Sequence, residues 1–306
     1  MKILTGIAIF ILICLLLVFL ESWRENRKVK AVQYHYPDFP LQNWKGTKIM
    51  LLSDLHNCVY GRNNEKLLRL VQGQNPDIIL IAGDMLVGKK DADFGDAVHF
   101  LNNLAEMDCP IYYGHGNHEL RTKLYKEQYG DMYERFRKEL SPKIKFLINE
   151  SVTLEKDGEL LKIFGLDLDR KYYQRFKKVQ MEEQYLAHLW EKDQKEKNPS
   201  DERKKAGLEN EKKGLFSILI AHNPLYFKEY AKQLEVDMVV SGHYHGCMVR
   251  LPILGGVLSP QIGFFPKYVA GEYRQGDSMM YLSAGLGNHS IKLRIGNIPE
   301  VVVVTL

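Results

Sequence analysis

Seven side chains able to bind a cation recur in this sequence just past short apolar runs. They are Asp54 and His56, Asp84, Asn117 inside Gly116-Asn-His-Glu119, His222, and the pair His243 and His245 inside Gly242-His-Tyr-His245. A carboxylate such as Asp84 can bridge two cations through its two oxygens and offset their mutual repulsion, while neutral imidazoles and the Asn117 amide oxygen complete the shell without adding negative charge. Imidazole combined with carboxylate suits Mn, Fe or Zn better than Ca or Mg. Two such ions roughly 3.5–4 Å apart acidify a shared water and neutralise phosphoryl oxygens during in-line displacement, so no protein nucleophile is needed. The chemistry expected of these residues is therefore two-metal phosphoester hydrolysis.

Something must bring five distant segments together. The runs at 49–53, 78–82, 111–113, 218–221 and 236–240 are short, aliphatic and nearly uncharged, and read as buried strands. Side chains two apart in a strand share a face, so Asp54 is expected to point with His56, and His243 with His245. Residues 28–36 alternate apolar and polar and predict an edge strand ended by Pro37 and Pro40. Helices are expected over 92–107 and 120–140, and strands over 146–154 and 160–166 joined by a turn at Lys156-Asp-Gly-Glu159. Strand, motif and helix in recurring order predict an α/β sandwich, two sheets face to face with helices outside.

The order D-x-H, G-D, G-N-H-E, H, G-H-x-H resembles the calcineurin-like metallophosphoesterase superfamily over nearly all of residues 47 to 306. The resemblance implies a four-layer α/β/β/α sandwich. Carried over residue by residue, it implies that Asp54, His56, Asp84 and His245 hold one divalent ion and that Asp84, Asn117, His222 and His243 hold a second. His118 is then no ligand, but a general acid or charge stabiliser beside the leaving oxygen. Mn is the expected metal, with Fe or Zn as alternatives. Ser241-Gly-His-Tyr-His-Gly246 leading to Val249-Arg-Leu-Pro252, Ser283-Ala-Gly-Leu-Gly287 and a closing Pro299-Glu-Val resemble the membrane-anchored bacterial phosphoesterases of the YkuE and YaeI type, whose relatives include a UDP-diacylglucosamine pyrophosphatase. Two departures from that pattern bear on substrate contacts. The stretch Met85-Leu-Val-Gly88 lacks the usual charged residue, and Gly246-Cys247 replaces Gly-Gln.

Taken singly, a G-D after a strand reads as a turn, and isolated histidines read as surface or packing residues. His99 and His188 fall in helical segments, His35 reads as surface, His115 as a strand-end support, and His289 has no motif around it. Tyr112 and Tyr113 read as packing. The net charge of +4 in 306 residues is too mild for a nucleic-acid surface, and none is expected as a partner. Cys14, Cys58, Cys109 and Cys247 are far apart and form no C-x-x-C pair, so no disulfide framework is expected, although Cys58 and Cys247 lie close to motifs.

Residues 3–20 form an uncharged run long enough to cross a bilayer, without a small-x-small cleavage site. The expected organisation is an anchor at 1–22, a juxtamembrane segment and edge strand at 23–46, and a catalytic domain at 47–306 with a charged helical insertion at 170–213. Arg24, Arg27, Lys28 and Lys30 after the span favour a cytoplasmic domain by the positive-inside rule. The short N-terminal tail and exported relatives favour the outside, and the reading leans that way. In the insertion, Tyr172, Tyr173, Phe176, Met181, Tyr185, Leu186, Leu189 and Trp190 make an apolar stripe beside Arg170, Lys171, Arg175, Lys177 and Lys178, read either as a solvated excursion or as a cap for an anionic amphiphile. The apolar stretch 251–265 reads either as buried packing or as the mouth for an acyl chain. The expected activity is hydrolysis of a phosphodiester or pyrophosphate bond in a lipid-linked or nucleotide-containing substrate. Phosphomonoester hydrolysis is the second enzymatic reading, and an inactive scaffold, which should have lost ligands, is the third.

Overall fold

The computed structural model describes residues 2–174, 178–197, 214–259, 263–288 and 292–306. In chain order its elements are α1 (Lys2–Glu25), β1 (Lys30–His35), β2 (Lys48–Leu52), α2 (Glu65–Gln74), β3 (Ile78–Ala82), α3 (Gly95–Leu104), β4 (Ile111–Gly114), α4 (Asn117–Leu124), α5 (Lys126–Tyr129), α6 (Met132–Glu139), β5 (Ile144–Phe146), β6 (Glu150–Lys156) and β7 (Glu159–Leu166). They continue with α7 (Tyr185–Lys197), β8 (Leu215–Ala221), α8 (Phe227–Leu234), β9 (Met238–Ser241), β10 (Val249–Leu251), β11 (Gly255–Leu258), β12 (Gly271–Gln275), β13 (Ser278–Leu282) and β14 (Glu300–Thr305).

Period-two burial explains why the strands read as unbroken apolar runs: both faces are covered. Met50, Leu52, Ile79, Ile81 and Tyr113 pack under α2, α3 and α6. Their neighbours Ile49, Leu51, Ile78, Leu80 and Tyr112 turn the other way and meet Ile163, Phe216, Ile218, Ile220 and Val240 of a second sheet. On the far side of that sheet Phe164, Leu219, Val239 and Leu282 pack with Leu186 of α7 and with Phe227 and Tyr230 of α8. The order is helix, sheet, sheet, helix. One sheet runs β1-β14-β2-β3-β4-β5, the other β12-β13-β9-β8-β7-β6, and β10 with β11 forms a separate hairpin. The strands that precede the motifs, β2, β3 and β4 in the first sheet and β8 and β9 in the second, run parallel within their sheets, so each sheet gathers its motif loops at one edge. At the edge of the first sheet β1 pairs with β14, as its alternation predicts.

Three expectations are corrected. The helix expected over 120–140 is three short helices, because the backbone leaves helical angles at Tyr125 and again at Gly130 with φ of +61°. The strand expected over 146–154 is two strands in different sheets. Phe146 ends β5 in the first sheet, and the chain crosses over at 147–149, where Leu147 N–H donates to the Tyr113 carbonyl and Asn149 N–H to that of Gly165. The third concerns the insertion, within which residues 175–177 and 198–213, and with them Arg175, Phe176 and Lys177, lie outside the described residues. The rest is no open cap: Tyr172, Met181 and Leu186 are buried in the outer core, Tyr185, Leu189 and Trp190 pack against it, and Ser151 donates to the Asp193 carboxylate from its N–H (2.9 Å) and its hydroxyl (2.5 Å). The apolar stripe is consumed by the second sheet. Its cations are also engaged, Lys171 with Glu182 (2.9 Å) and Lys178 with Glu229 (2.7 Å).

Candidate metal centre

Asp54 and His56 follow β2, Asp84 follows β3, Asn117 opens α4 just after β4, His222 follows β8, and His243 and His245 follow β9. The pairs D-x-H and H-x-H do not owe their common direction to strand alternation, since both strands have ended. Asp54, His56, Asp84, His243 and His245 instead take positive φ values of +54°, +47°, +55°, +77° and +50°. Such conformations cost non-glycine residues on the order of 1 kcal/mol or more and persist only where surroundings over-determine them. Here they are over-determined. Asp54 N–H donates to the Gly83 carbonyl (3.0 Å), His56 N–H to that of Asp84 (3.1 Å) and Gly242 N–H to that of His222 (3.1 Å), while Leu286 N–H reaches the Ser53 carbonyl (3.0 Å). His243 N–H donates to both Asp54 oxygens (3.1 and 3.0 Å). Gly242 must be glycine, because a Cβ there would collide with the Asp54 carboxylate.

Three overlapping donor groups result among the described residues: Asp54–His56–His245 and Asp84–His222–His243, joined by His56–Asp84–His118. In the first, His56 Nε2 and His245 Nε2 stand 3.2 Å apart, and His245 Nε2 is 3.4 Å from Asp54 Oδ1. In the second, His222 Nε2 lies 3.2 Å from Asp84 Oδ2 and 3.2 Å from His243 Nδ1. Asp84 Oδ2 is also 3.7 Å from His56 Nε2, which puts this carboxylate between the clusters. The rings are set from behind: His222 Nδ1 faces the Ala82 carbonyl at 2.6 Å and His245 Nδ1 that of Gly287 at 3.0 Å, so each ring carries a proton at Nδ1 and turns its Nε2 inward. Asn117 precedes His118, whose N–H donates to Asp84, and its amide oxygen is buried without a hydrogen-bond partner, an orphan acceptor of the kind a cation satisfies.

The electrostatics also call for positive charge. Burial alone would raise the Asp84 carboxyl, but His222, His118 and His56 outweigh it and hold the group well below the usual carboxylate range. Burial would lower His222, yet Asp84 and Asp54 prevail and push it up to about 9. His245 is lowered, chiefly by burial. The carboxylates thus draw a proton onto His222, supplying locally what a divalent cation would supply more strongly.

His118 belongs to the first turn of α4, where its N–H donates to Asp84 Oδ1 (2.7 Å). Its Nδ1 accepts from Gly88 N–H (2.7 Å), which leaves the neutral ring's proton on Nε2, 3.9 Å from Asp84 Oδ2. Arg121 Nη2 stands 3.2 Å from the same Nδ1, so a backbone amide and a guanidinium together orient the imidazole. Arg121 braces the same loop by donating to the Gly88 carbonyl (2.6 Å).

Several supporting residues escaped the sequence reading. Glu119 was seen only as the last letter of G-N-H-E. It is fully buried and accepts from the N–H groups of Asp84 (2.8 Å), Met85 (3.0 Å) and Gly116 (3.0 Å) and from the Tyr113 hydroxyl (2.7 Å), locking two motif loops together. Arg294, fully buried, donates to the carbonyls of Ala284 (3.0 Å) and Gly287 (2.5 Å), the latter being the oxygen that orients His245. Asn297 donates to the carbonyls of His245 (2.7 Å) and Cys247 (2.5 Å). Glu25, at the end of α1, accepts from the N–H groups of Gly296 (3.1 Å) and Asn297 (2.9 Å). Tyr173, assigned above to the insertion's stripe, places its ring 5.6 Å from that of His243 and 6.1 Å from that of His222. Burial, foremost, holds its hydroxyl well above the usual range, so it stays a neutral donor. No sequence period marks these five.

His115 is a support as read, its Nδ1 3.2 Å from Asp167 and its Nε2 2.8 Å from the Tyr133 hydroxyl. His35, His99 and His188 are exposed away from the clusters, and His289 lies outside the described residues. The four cysteines are free thiols, and none joins a donor cluster among the described residues. Burial pushes the Cys247 thiol up to about 11, away from metal-binding thiolate.

Residues 47–247 match the family described as calcineurin-like phosphoesterase, and the chain belongs to that family. It is a metal-dependent phosphoester hydrolase. The chain is 25% identical over 273 residues to the uncharacterized protein YpbG of Bacillus subtilis, covering 88% of this chain and 85% of that one. It is 25% identical over 262 residues to the phosphodiesterase YaeI of Escherichia coli, 85% of this chain and 82% of that one. A transmembrane protein with metallophosphoesterase domain from Danio rerio is 24% identical over 319 residues, 99% of this chain and 62% of that one.

Proposed function

We propose that the chain is a membrane-tethered hydrolase of phosphodiester or pyrophosphate bonds in a lipid-linked or nucleotide-containing substrate. The observation that carries the reading is the overlap of the donor groups, with His56–Asp84–His118 joining the other two. Asp54, His56, Asp84 and His245 would hold one divalent cation, and Asp84, Asn117, His222 and His243 the other. Bound there, the two ions supply Lewis acidity and neutralise charge on the phosphoryl group. The chain's own residues do the rest. His222 and His245 turn Nε2 inward because their Nδ1 atoms are bonded from behind, and a cation at His222 would take the place of the proton that Asp84 and Asp54 draw onto it. His118 holds a proton at Nε2, next to the Asp84 carboxylate, where a leaving oxygen can receive it. Tyr173 offers a neutral hydroxyl at the rim. An inactive scaffold should have lost donors or His118, and this chain keeps them all.

The test uses the full chain in detergent, because Glu25 and Asn26 bond to Asn288, Lys292, Gly296 and Asn297 and a fragment starting at residue 30 would lose those contacts. Loaded with Mn, it should bind about two ions per chain and hydrolyse bis-p-nitrophenyl phosphate, with chelation abolishing both. Trace metal and no turnover would end the reading, and turnover of p-nitrophenyl phosphate alone would convert it to a monoesterase.

The tether is α1, 24 residues with mean hydropathy 3.2 in its apolar window and none of that window buried. The similarity to a transmembrane relative supports an anchor over a removed signal, and we place the catalytic domain outside the cytoplasm. Retention through alkaline wash tests the first statement. Protease digestion on wall-stripped cells tests the second.

A further inference from the structure

Apolar surface outside α1 is not scattered. Of the seven large apolar side chains exposed beyond that helix among the described residues, five lie between 251 and 265: Leu251, Ile253, Leu254, Phe264 and Phe265. Ile253 is fully exposed, and Phe264 and Phe265 are 70% and 62% exposed. Singly exposed apolar residues need no explanation, whereas a contiguous patch on a projecting element marks a surface that another apolar phase covers. In the stretch 251–265, read from sequence as packing or an acyl mouth, Leu251, Ile253, Leu254, Phe264 and Phe265 are exposed, and residues 260–262 lie outside the described residues. The turn between β10 and β11 carries Ile253 and Leu254, and Phe264 bridges back to Leu258.

Its root gives the position. Arg250 N–H donates to the Ile295 carbonyl (2.8 Å) and Ile295 N–H to that of Met248 (2.9 Å). The same short segment receives the end of α1: Arg294 N–H donates to Ser22 Oγ (3.1 Å), Asn26 donates from its side chain to the Lys292 carbonyl (3.3 Å), and Glu25 caps Gly296 and Asn297. Hairpin and apolar helix therefore spring from one segment, 292–297. One residue further, Ile298 lines a cavity of about 510 Å³ together with Arg27, Lys28, Lys30, Lys66 and Arg69, of which Lys30 pairs with Glu300 (3.5 Å) and Arg69 with Glu65 (3.4 Å) outside the lining. Apolar tip, apolar helix and basic cleft sit around a single root, the arrangement of an interfacial surface that meets acyl chains and anionic headgroups together.

We infer that the β10–β11 hairpin, with Phe264 and Phe265 beside it, dips its apolar tip into the bilayer that holds α1, while the basic cleft meets anionic headgroups, forming a docking face whose occupant is lipid. The inference rests on the anchor reading above. Because His245 and Cys247 lie within five residues of Arg250, lipid docking brings the donor clusters to the headgroup layer, and a substrate carrying acyl chains can present its phosphate without leaving the membrane.

The full chain, reconstituted in vesicles of phosphatidylcholine and phosphatidylglycerol, is irradiated with p-benzoyl-phenylalanine in place of Ile253, of Phe264, of Leu12 in α1, or of the exposed Leu124. Lipid adducts at Ile253 and Phe264 about tenfold above those at Leu124 are expected. Adducts at Leu12 with none at the hairpin would overturn the docking face and leave the anchor standing. Lipid adducts at neither site would overturn both. Adducts joining two chains through the hairpin would replace lipid by a second copy and overturn the inference.

Discussion

The strand-end rim and the β10–β11 hairpin are joined by only three residues, 246–248, yet they are held by opposite means. At the rim nearly every polar atom is committed. Asp54, Asp84, His222 and His245 bind backbone as well as one another, and five left-handed residues are pinned by cross-loop hydrogen bonds. The hairpin has two short strands, one bridge to Ile295, and its apolar side chains pointing into solvent. A centre that must hold like-charged ions at fixed separation needs donors preorganised by a second layer of bonds. A surface that meets fluid lipid needs area and reach. The difference predicts that substitutions at the rim act steeply and through metal, while effects fade outward along the chain of contacts.

The steepest test is Asp84→Ala. It removes the carboxylate between the two clusters and the acceptor for His118 N–H, so Mn content and hydrolysis should both fall to background, as read by metal analysis and turnover. Retention of about two Mn per chain would show that the clusters do not depend on a shared ligand.

His118→Ala comes next. The side chain touches neither cluster's backbone support, so metal content should stay, and the rate should drop by about a hundredfold to ten-thousandfold. The loss should be small for a nitrophenolate leaving group, which needs little protonation, and large for an alkoxide. An equal loss for both would make His118 a charge stabiliser in place of an acid.

Glu119→Gln tests the second layer directly. The buried carboxylate accepts four hydrogen bonds, and the amide can retain only part of them, so unfolding by urea should show about 1–3 kcal/mol less stability. Turnover should decline less than for His118→Ala. Unchanged stability would mean that the rim does not need this cross-link.

Legibility followed the same gradient. The seven candidate ligands and the buried strands were readable because residue type, spacing and apolar runs are local properties of sequence. The four layers followed from strand and helix recurrence. What was not readable depends on contacts between remote segments. Arg294 sits among Lys and Leu with no period, yet it orients Gly287 behind His245. Asp54 and His56 looked like alternating strand residues and are instead in left-handed turns, a conformation their types permit without announcing. Leu189 and Trp190 had the composition of a cap, and only the uncovered far face of the second sheet explains why they pack inward.

The smallest expected effect lies where the two regions meet. Glu25 ends α1, outside both the donor clusters and the hairpin, and its carboxylate accepts from Gly296 and Asn297, while the Asn297 side chain holds the carbonyls of His245 and Cys247. Glu25→Ala leaves every proposed ligand in place but bares two backbone N–H groups and loosens the peptide that carries His245. Outer-shell losses typically weaken metal binding by about 10–100-fold when the lost group touches a ligand side chain. One step further out, the expected change is about three- to tenfold in Mn affinity, with turnover at saturating Mn unaltered. A Mn titration of activity separates the two quantities. If affinity does not move, the root of α1 and the metal rim are mechanically independent, and the tether would serve only to hold the enzyme at the bilayer. If saturating turnover falls as well, the coupling extends into the chemistry, and the end of the membrane helix would have to be counted among the positioning residues of the centre.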